Sequence, residues 1–242
     1  MVQQKVKYTD TERTPAERAR ALLEEMTLDE KMAQLGCIFP FGDSYDDMEQ
    51  QALEMPYGIG QVSTLEMRRI GTLEEAAGWQ RKMQETVMRQ SPHHIPAIFH
   101  MEGLCGAFIQ EGTSFPSGIA RGSGWDPELE EKIAKVVAKQ EAACGITHIL
   151  APVLDISRDS RMGRQGETYG EDPALAAALG AAYTKGIQTT EAGGRRPESV
   201  AKHFSDFTIH RAVFTERTVI RRPGSWKKYT ASLSSLRFLN PS

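Results

Sequence analysis

Cysteine is scarce in this chain: Cys37, Cys105 and Cys144 are the three in 242 residues, widely spaced and without a CxxC pair. That argues against a disulfide framework or a cysteine-ligated zinc site and fits a reduced, cytoplasmic protein. Charge of one sign is also lacking. The formal net charge is −3, so neither nucleic acid nor an anionic membrane is expected as a partner. No apolar run approaches the roughly 20 residues that span a bilayer. Residues Met1 to Asp10 are too polar for a signal peptide. The histidines, His93–His94 included, lack the spacing of metal ligands. The glycines of Gly163–Arg–Gln–Gly166 do not match a dinucleotide fingerprint. No metal and no cofactor is expected.

With 40% hydrophobic and 25% charged residues the chain reads as a soluble globular protein, long enough for one large α/β domain or two small ones. Its punctuation is helical. Thr14–Pro15 gives a hydroxyl cap followed by proline where a missing N–H does no harm. Thr27–Leu–Asp–Glu30 and Thr72–Leu–Glu–Glu75 are capping boxes. Asp126–Pro127 and Asp172–Pro173 repeat the cap-and-proline pairing. Apolar stripes come after each of these, such as Ile133, Val136 and Val137, or Leu175, Leu179 and Tyr183. Between the helices lie strand candidates over Ile59–Ser63, Pro96–His100, Thr147–Leu154 and Ser199–His203. Strand–loop–helix alternation of this kind predicts right-handed βαβ units on a parallel sheet. The pattern does not separate an open sheet from a (β/α)8 barrel, of which about four units would be half.

Candidate site residues stand where those strands should end. Glu102 comes after Ile98–Phe99–His100, Arg164 and Glu167 after the third strand, and Lys202–His203 closes the fourth. In parallel α/β folds ligands bind at that rim. A carboxylate accepts paired hydrogen bonds from adjacent hydroxyls while Lys, Arg and His donate, which suits a polyhydroxylated ligand. Each residue also has a plainer reading: Glu102 capping the loop at Gly103, Arg164 pairing with Glu167, Lys202 lying in solvent. Neighbours on a regular strand point to opposite faces. Lys202 and His203 therefore act together only if an irregular peptide joins them. Cys105 reads better as a small half-buried residue than as a nucleophile.

Several ordered stretches carry a resemblance. They are Arg18 to Lys31, Glu102–Gly–Leu–Cys–Gly106, Phe115–Pro116, Trp125–Asp–Pro127, Ala151–Pro–Val–Leu–Asp155, Arg158 to Arg164, Glu167–Thr–Tyr–Gly–Glu–Asp–Pro173 and Lys202–His–Phe204. Together they resemble glycoside hydrolase family 3, the β-glucosidase and β-xylosidase type, over about residues 12–207. The resemblance implies an α/β fold, the N-terminal half of an incomplete (β/α)8 TIM-type barrel over residues 1–207. It implies that Glu102 grips sugar hydroxyls and that Arg164, Lys202 and His203 form the sugar-binding basic trio. It also implies an unusual peptide bond within the Lys–His pair. Met162 stands where the family commonly has tryptophan, and Cys105 where it commonly has histidine.

The implied activity is exo-acting hydrolysis of O-glycosyl bonds with retention, on a β-linked glucoside or xyloside held by its non-reducing terminal sugar. Retention needs a nucleophile and an acid about 5–5.5 Å apart. The family's aspartate nucleophile lies in a Ser–Asp–Trp-like motif beyond the Lys–His strand, and this sequence contains none. Asp206 lies in the wrong strand to replace it. No catalytic residue is therefore assigned, and negligible hydrolysis by this chain alone is expected. A non-catalytic sugar-binding or interaction module is the alternative, and a thiol enzyme built on Cys105 ranks last. Half a barrel leaves strand edges and helix faces uncovered, which predicts self-association.

Residues 208–242 break from the rest, with seven Lys or Arg against the single acid Glu216, hence +6 there and −9 before it. Back-translating Pro223 to Ser235 and reading from each codon's third base allows Arg, Glu, Leu, Glu, Glu, Ile or Val, then Tyr or His. Trp226 has one codon, so the Glu read across Trp226–Lys227 is forced. This resembles the family's next helix, and predicts a shift of reading frame between about Phe207 and Pro223.

Overall fold

The computed structural model describes residues 7–42, 45–191 and 196–203. Asp206 and the 208–242 tail, with its expected change of frame, lie outside the described residues. By internal contacts the chain divides into two units, residues 1–63 with 81–98, and residues 64–80 with 99–242.

In the first unit, α1 (Pro15–Glu25) starts on the expected Thr14 cap and Pro15, with Glu17 completing a capping box that was not expected, and α2 (Leu28–Ala33) starts on its expected box. The Thr14 and Thr27 hydroxyls accept from the backbone N–H of Glu17 and Glu30, whose carboxylates accept in return. Strand β1 (Cys37–Ile38) pairs in parallel with β2 (Gln61–Ser63), Ile38 opposite Val62, with α3 (Tyr45–Leu53) between them in sequence. Neither β1 nor α3 was expected. Two residues are too short for an alternation of apolar and polar positions to show, so β1 exists by pairing alone. The buried apolar residues of this unit include Ala52, Ile59 and Val62, with Met83 and Val87 from the C-terminal part of α4 (Leu73–Gln90).

The second unit carries β3 (Ile98–Met101), α5 (Gly118–Gly122), α6 (Pro127–Ala143), β4 (His148–Ile149), α7 (Pro173–Gln188) and β5 (Glu198–Ser199). Asp126 and Asp172 cap α6 and α7, each followed by its proline. Strand β4 is central and parallel to both neighbours, with His148 opposite His100 and Glu198, and Ile149 opposite Met101 and Ser199. The strands expected over Thr147–Leu154 and Ser199–His203 are shorter than their apolar runs. Pro152 has no N–H to donate, and pairing resumes only as a single bridge between Val153 and Lys202. Helices α6 and α7 pack together over the sheet, with Ile133, Ala134, Val137 and Ala138 against Ile149, Ala151, Tyr183 and Ile187. Their approach is close at Gly186, where a Cβ would lie 2.5 Å from the Glu131 carbonyl oxygen and 2.6 Å from the Ala134 Cβ. Among the described residues no helix is long and apolar enough to cross a membrane.

Candidate functional site

Every candidate residue named from the sequence falls in the second unit, just beyond the strands or in the loops after them. Glu102 is the first residue after β3. Its position is fixed by its neighbour Gly103. The Tyr183 hydroxyl donates to the Gly103 carbonyl at 2.7 Å. A Cβ on Gly103 would come within 2.4 Å of Ile149 Cγ2 and 2.8 Å of the Tyr183 oxygen. Only glycine lets sheet and helix close on the backbone there.

Arg164 stands between two short 3₁₀ turns, Ser160–Met162 and Gln165–Glu167. The residue between the first turn and Arg164 is Gly163, at φ +82°, a left-handed conformation that glycine adopts without penalty. The sharp reversal aims the guanidinium back over the second turn. Its Nε and Nη2 donate to the two Glu167 oxygens at 2.7 and 2.6 Å. The plainer reading of Arg164 is therefore correct as far as it goes, but a further nitrogen, Nη1, faces His203 Nε2 at 3.3 Å.

Lys202 and His203 are joined by a cis peptide bond, the irregular peptide that the strand-parity argument requires. Both side chains enter the cluster. Lys202 Nζ donates to Glu102 Oε2 at 2.6 Å, and His203 Nδ1 lies 2.6 Å from Asp155 Oδ2. The Lys202 backbone is tied to the 152–154 segment, its N–H donating to the Pro152 carbonyl and its carbonyl accepting from Leu154 at 2.6 Å. The Lys202 side chain is only 13% exposed, so the solvent reading of this lysine is corrected: the bridge to Val153 and the Glu102 carboxylate hold it inward.

The charges are interdependent. The Arg164 hydrogen bonds hold the Glu167 carboxyl below the usual carboxylate range, against the opposing effect of burial. The pair with Glu167 in turn raises the guanidinium, which also feels Asp155 and Glu102. Burial pushes the His100 imidazole down, with Glu102 opposing, so it adds little positive charge beside the cluster. The result is a set of donors, Lys202 and Arg164, and acceptors, Glu102 and Glu167, with Glu102, Glu167 and Arg164 each about a third exposed. Such a set can exchange its internal bonds for hydroxyls of a ligand, each charge-assisted bond being worth roughly 1.5–3 kcal/mol.

Asp155 is the residue that sequence reasoning missed as a member of the site. Its signals were position, as a carboxylate closing the apolar run from Ile149, and membership of the Ala151–Asp155 stretch that carries the resemblance; in the fold its side chain is fully buried. Cys105 is half-buried with a free thiol and, among the described residues, makes no hydrogen bond to the cluster. No group of metal-ligating side chains occurs among the described residues.

A profile of the glycosyl hydrolase family 3 N-terminal domain matches residues 27–213. A putative β-xylosidase of Formosa agariphila is 27% identical over 209 residues, 83% of this chain and 28% of that protein. A periplasmic β-glucosidase of Salmonella typhimurium is 29% identical over 187 residues, 77% of this chain and 23% of that protein. Among solved structures, a β-glucosidase of Erythrobacter marinus superposes with a TM-score of 0.71 at 32% identity, over 82% of this chain and 27% of that one. A β-glucosidase of Listeria innocua, solved with laminaribiose, gives 0.66 at 27% identity over 87% of this chain and 29% of that one. The chain thus spans about a quarter of the length of these proteins.

Proposed function

The chain belongs to glycoside hydrolase family 3, and from that premise we propose that the Glu102–Arg164–Lys202–His203 cluster binds the non-reducing terminal sugar of a β-linked glucoside or xyloside. The fold is α/β with parallel strands, that of an incomplete (β/α)8-type barrel. One observation carries the proposal. The Lys202–Glu102 and His203–Asp155 pairs arise from adjacent residues, and Arg164 reaches the same histidine from a different loop. Vicinal hydroxyls, each able to donate once and accept twice, match donors and acceptors set side by side. The proteins that this chain resembles are named for glucosides and xylosides, and related structures hold glucose or laminaribiose.

The family-level reaction is hydrolysis of O-glycosyl bonds. For these 242 residues we assign binding without turnover, because the sequence contains no Ser–Asp–Trp motif to supply the nucleophile. Residues 1–207 then form the partial barrel, and 208–242 an out-of-frame tail whose coding DNA, read in the shifted frame, is expected to give the family's next helix. A cytoplasmic location belongs to the same proposal, supported by the wide spacing of the three cysteines in the sequence. Titration calorimetry of the full chain with glucose and with xylose tests the binding. Saturable heat that disappears in Arg164→Met and Lys202→Met is expected, and no heat from either sugar sinks the proposal. Release of nitrophenol from an aryl β-glucoside at enzyme-like rates would overturn the assignment of binding alone.

A further inference from the structure

His203 has a nitrogen on each side of its ring in contact with a charged group, and the two contacts together decide where its proton sits. Arg164 has five N–H donors and no acceptor, and it is never deprotonated in a protein. Its Nη1 lies 3.3 Å from His203 Nε2. A proton on Nε2 would set two donors against each other, so Nε2 presents its lone pair to the guanidinium. The ring proton is then on Nδ1, where the Asp155 carboxylate accepts it at 2.6 Å. The two partners are set in place independently of the ring. Arg164 is clamped by both oxygens of Glu167 at 2.7 and 2.6 Å, and the Asp155 side chain is wholly buried.

We infer that Asp155 is a positioning residue that holds His203 as the neutral Nδ1–H tautomer, so that Nε2 meets the sugar as a hydrogen-bond acceptor. The inference rests on the sugar-site reading above and deepens it, because it changes what the basic trio can recognise. Lys202 and Arg164 supply donors only, whereas His203 Nε2 takes a hydroxyl hydrogen, and Glu102 takes another. One hydroxyl can then donate to Nε2 while accepting from the adjacent guanidinium. A ligand lacking that hydrogen, such as a methyl ether at the hydroxyl concerned, loses the bond to Nε2. The tautomer of a histidine is set by the bond its other nitrogen makes, so the discrimination originates in a residue that does not touch the ligand.

The test is a long-range proton–nitrogen correlation spectrum of the full chain, labelled with 15N at histidine and recorded at pH 8, with His203→Gln used to assign the signals. The expected pattern for His203 is a protonated-type Nδ1 and a bare-type Nε2. Asp155→Asn, whose amide oxygen can still accept, is expected to keep that pattern and to bind glucose within about threefold of the parent. Asp155→Leu is expected to shift His203 toward the Nε2–H form and to weaken glucose binding about tenfold. An Nε2–H or doubly protonated ring in the parent overturns the inference, as does an Nδ1–H ring that persists in Asp155→Leu. If Asp155→Leu does not fold, the parent spectrum and the Asp155→Asn rescue decide. The Nδ1–H pattern without any glucose binding supports the part given to Asp155 while sinking the sugar-site reading, which keeps the two failures distinct.

Discussion

Glu141 lies fully buried in α6, and neither carboxylate oxygen has a hydrogen-bond partner among the described residues. Burial pushes its carboxyl well above the ordinary range, and the charge of Glu102 adds to the effect. The group therefore stays protonated in the folded chain at a pH where the unfolded chain, near 4.3, has already lost the proton. Across that window the unfolded state binds fewer protons, so stability falls as pH rises. Glu141→Leu is expected to raise stability by about 1–3 kcal/mol at pH 7.5, through removal of an unsatisfied buried polar group. The gain should shrink at pH 4, where the unfolded chain has largely regained the proton that the folded chain keeps, and urea unfolding at the two pH values reads it. Gly103 works in the opposite sense. Gly103→Ala forces a methyl against Ile149 and Tyr183, with an expected loss of about 1–3 kcal/mol. Because Glu102 is its neighbour, glucose affinity should fall as well, in the same calorimetric titration.

At the scale of elements, a buried charged group ties three segments that carry or flank the site. Arg121 in α5 donates to Glu130 of α6 at 2.8 Å, and the Tyr169 hydroxyl, from the loop before α7, donates to the other Glu130 oxygen at 2.6 Å. Arg121 also donates to the carbonyls of Leu104 and Pro116, so the loop after Glu102 hangs on the same guanidinium. Both Arg121 and Glu130 are nearly inaccessible. Removing one partner of such a pair strands the other's charge, at a cost of about 3–5 kcal/mol. Glu130→Ala is expected to lose that much in urea unfolding, whereas Tyr169→Phe, which keeps the ring packed on Ile156 and Leu179, should lose only about 1–3 kcal/mol. A near-zero effect of Glu130→Ala would show that this group is not what holds the loop.

For the whole molecule, the informative surface is in the first unit. Leu28, Met32, Leu35, Phe39 and Phe41 stand close together in a short stretch of chain and are exposed, Leu35 at 79% and Leu28 at 72%. Apolar side chains gathered in this way favour association. Concentration-dependent self-association is expected in light scattering, and Leu35→Lys with Phe41→Lys should reduce it without altering glucose binding, since neither residue is among those whose side chains form the cluster. A monodisperse parent protein at high concentration would remove that expectation.

By itself the sequence determined the helices that announce their own starts. The caps at Thr14, Thr27, Thr72, Asp126 and Asp172 are local hydrogen bonds between residues at most three apart, so nothing distant was needed to read them. It also supplied the rim residues Glu102, Arg164, Lys202 and His203, since charge at the end of an apolar run is visible in one dimension. Strand β1 and the true ends of β4 and β5 were not legible, because a strand stops where its partner stops pairing and that partner is dozens of residues away. The same holds for the part played by Asp155. A carboxylate after an apolar run has many local uses, and only the folded chain brings it 2.6 Å from a histidine 48 positions later. Local chemistry is written in neighbouring residues, whereas pairing across the sheet and the proton on His203 depend on groups that meet only when the chain closes on itself.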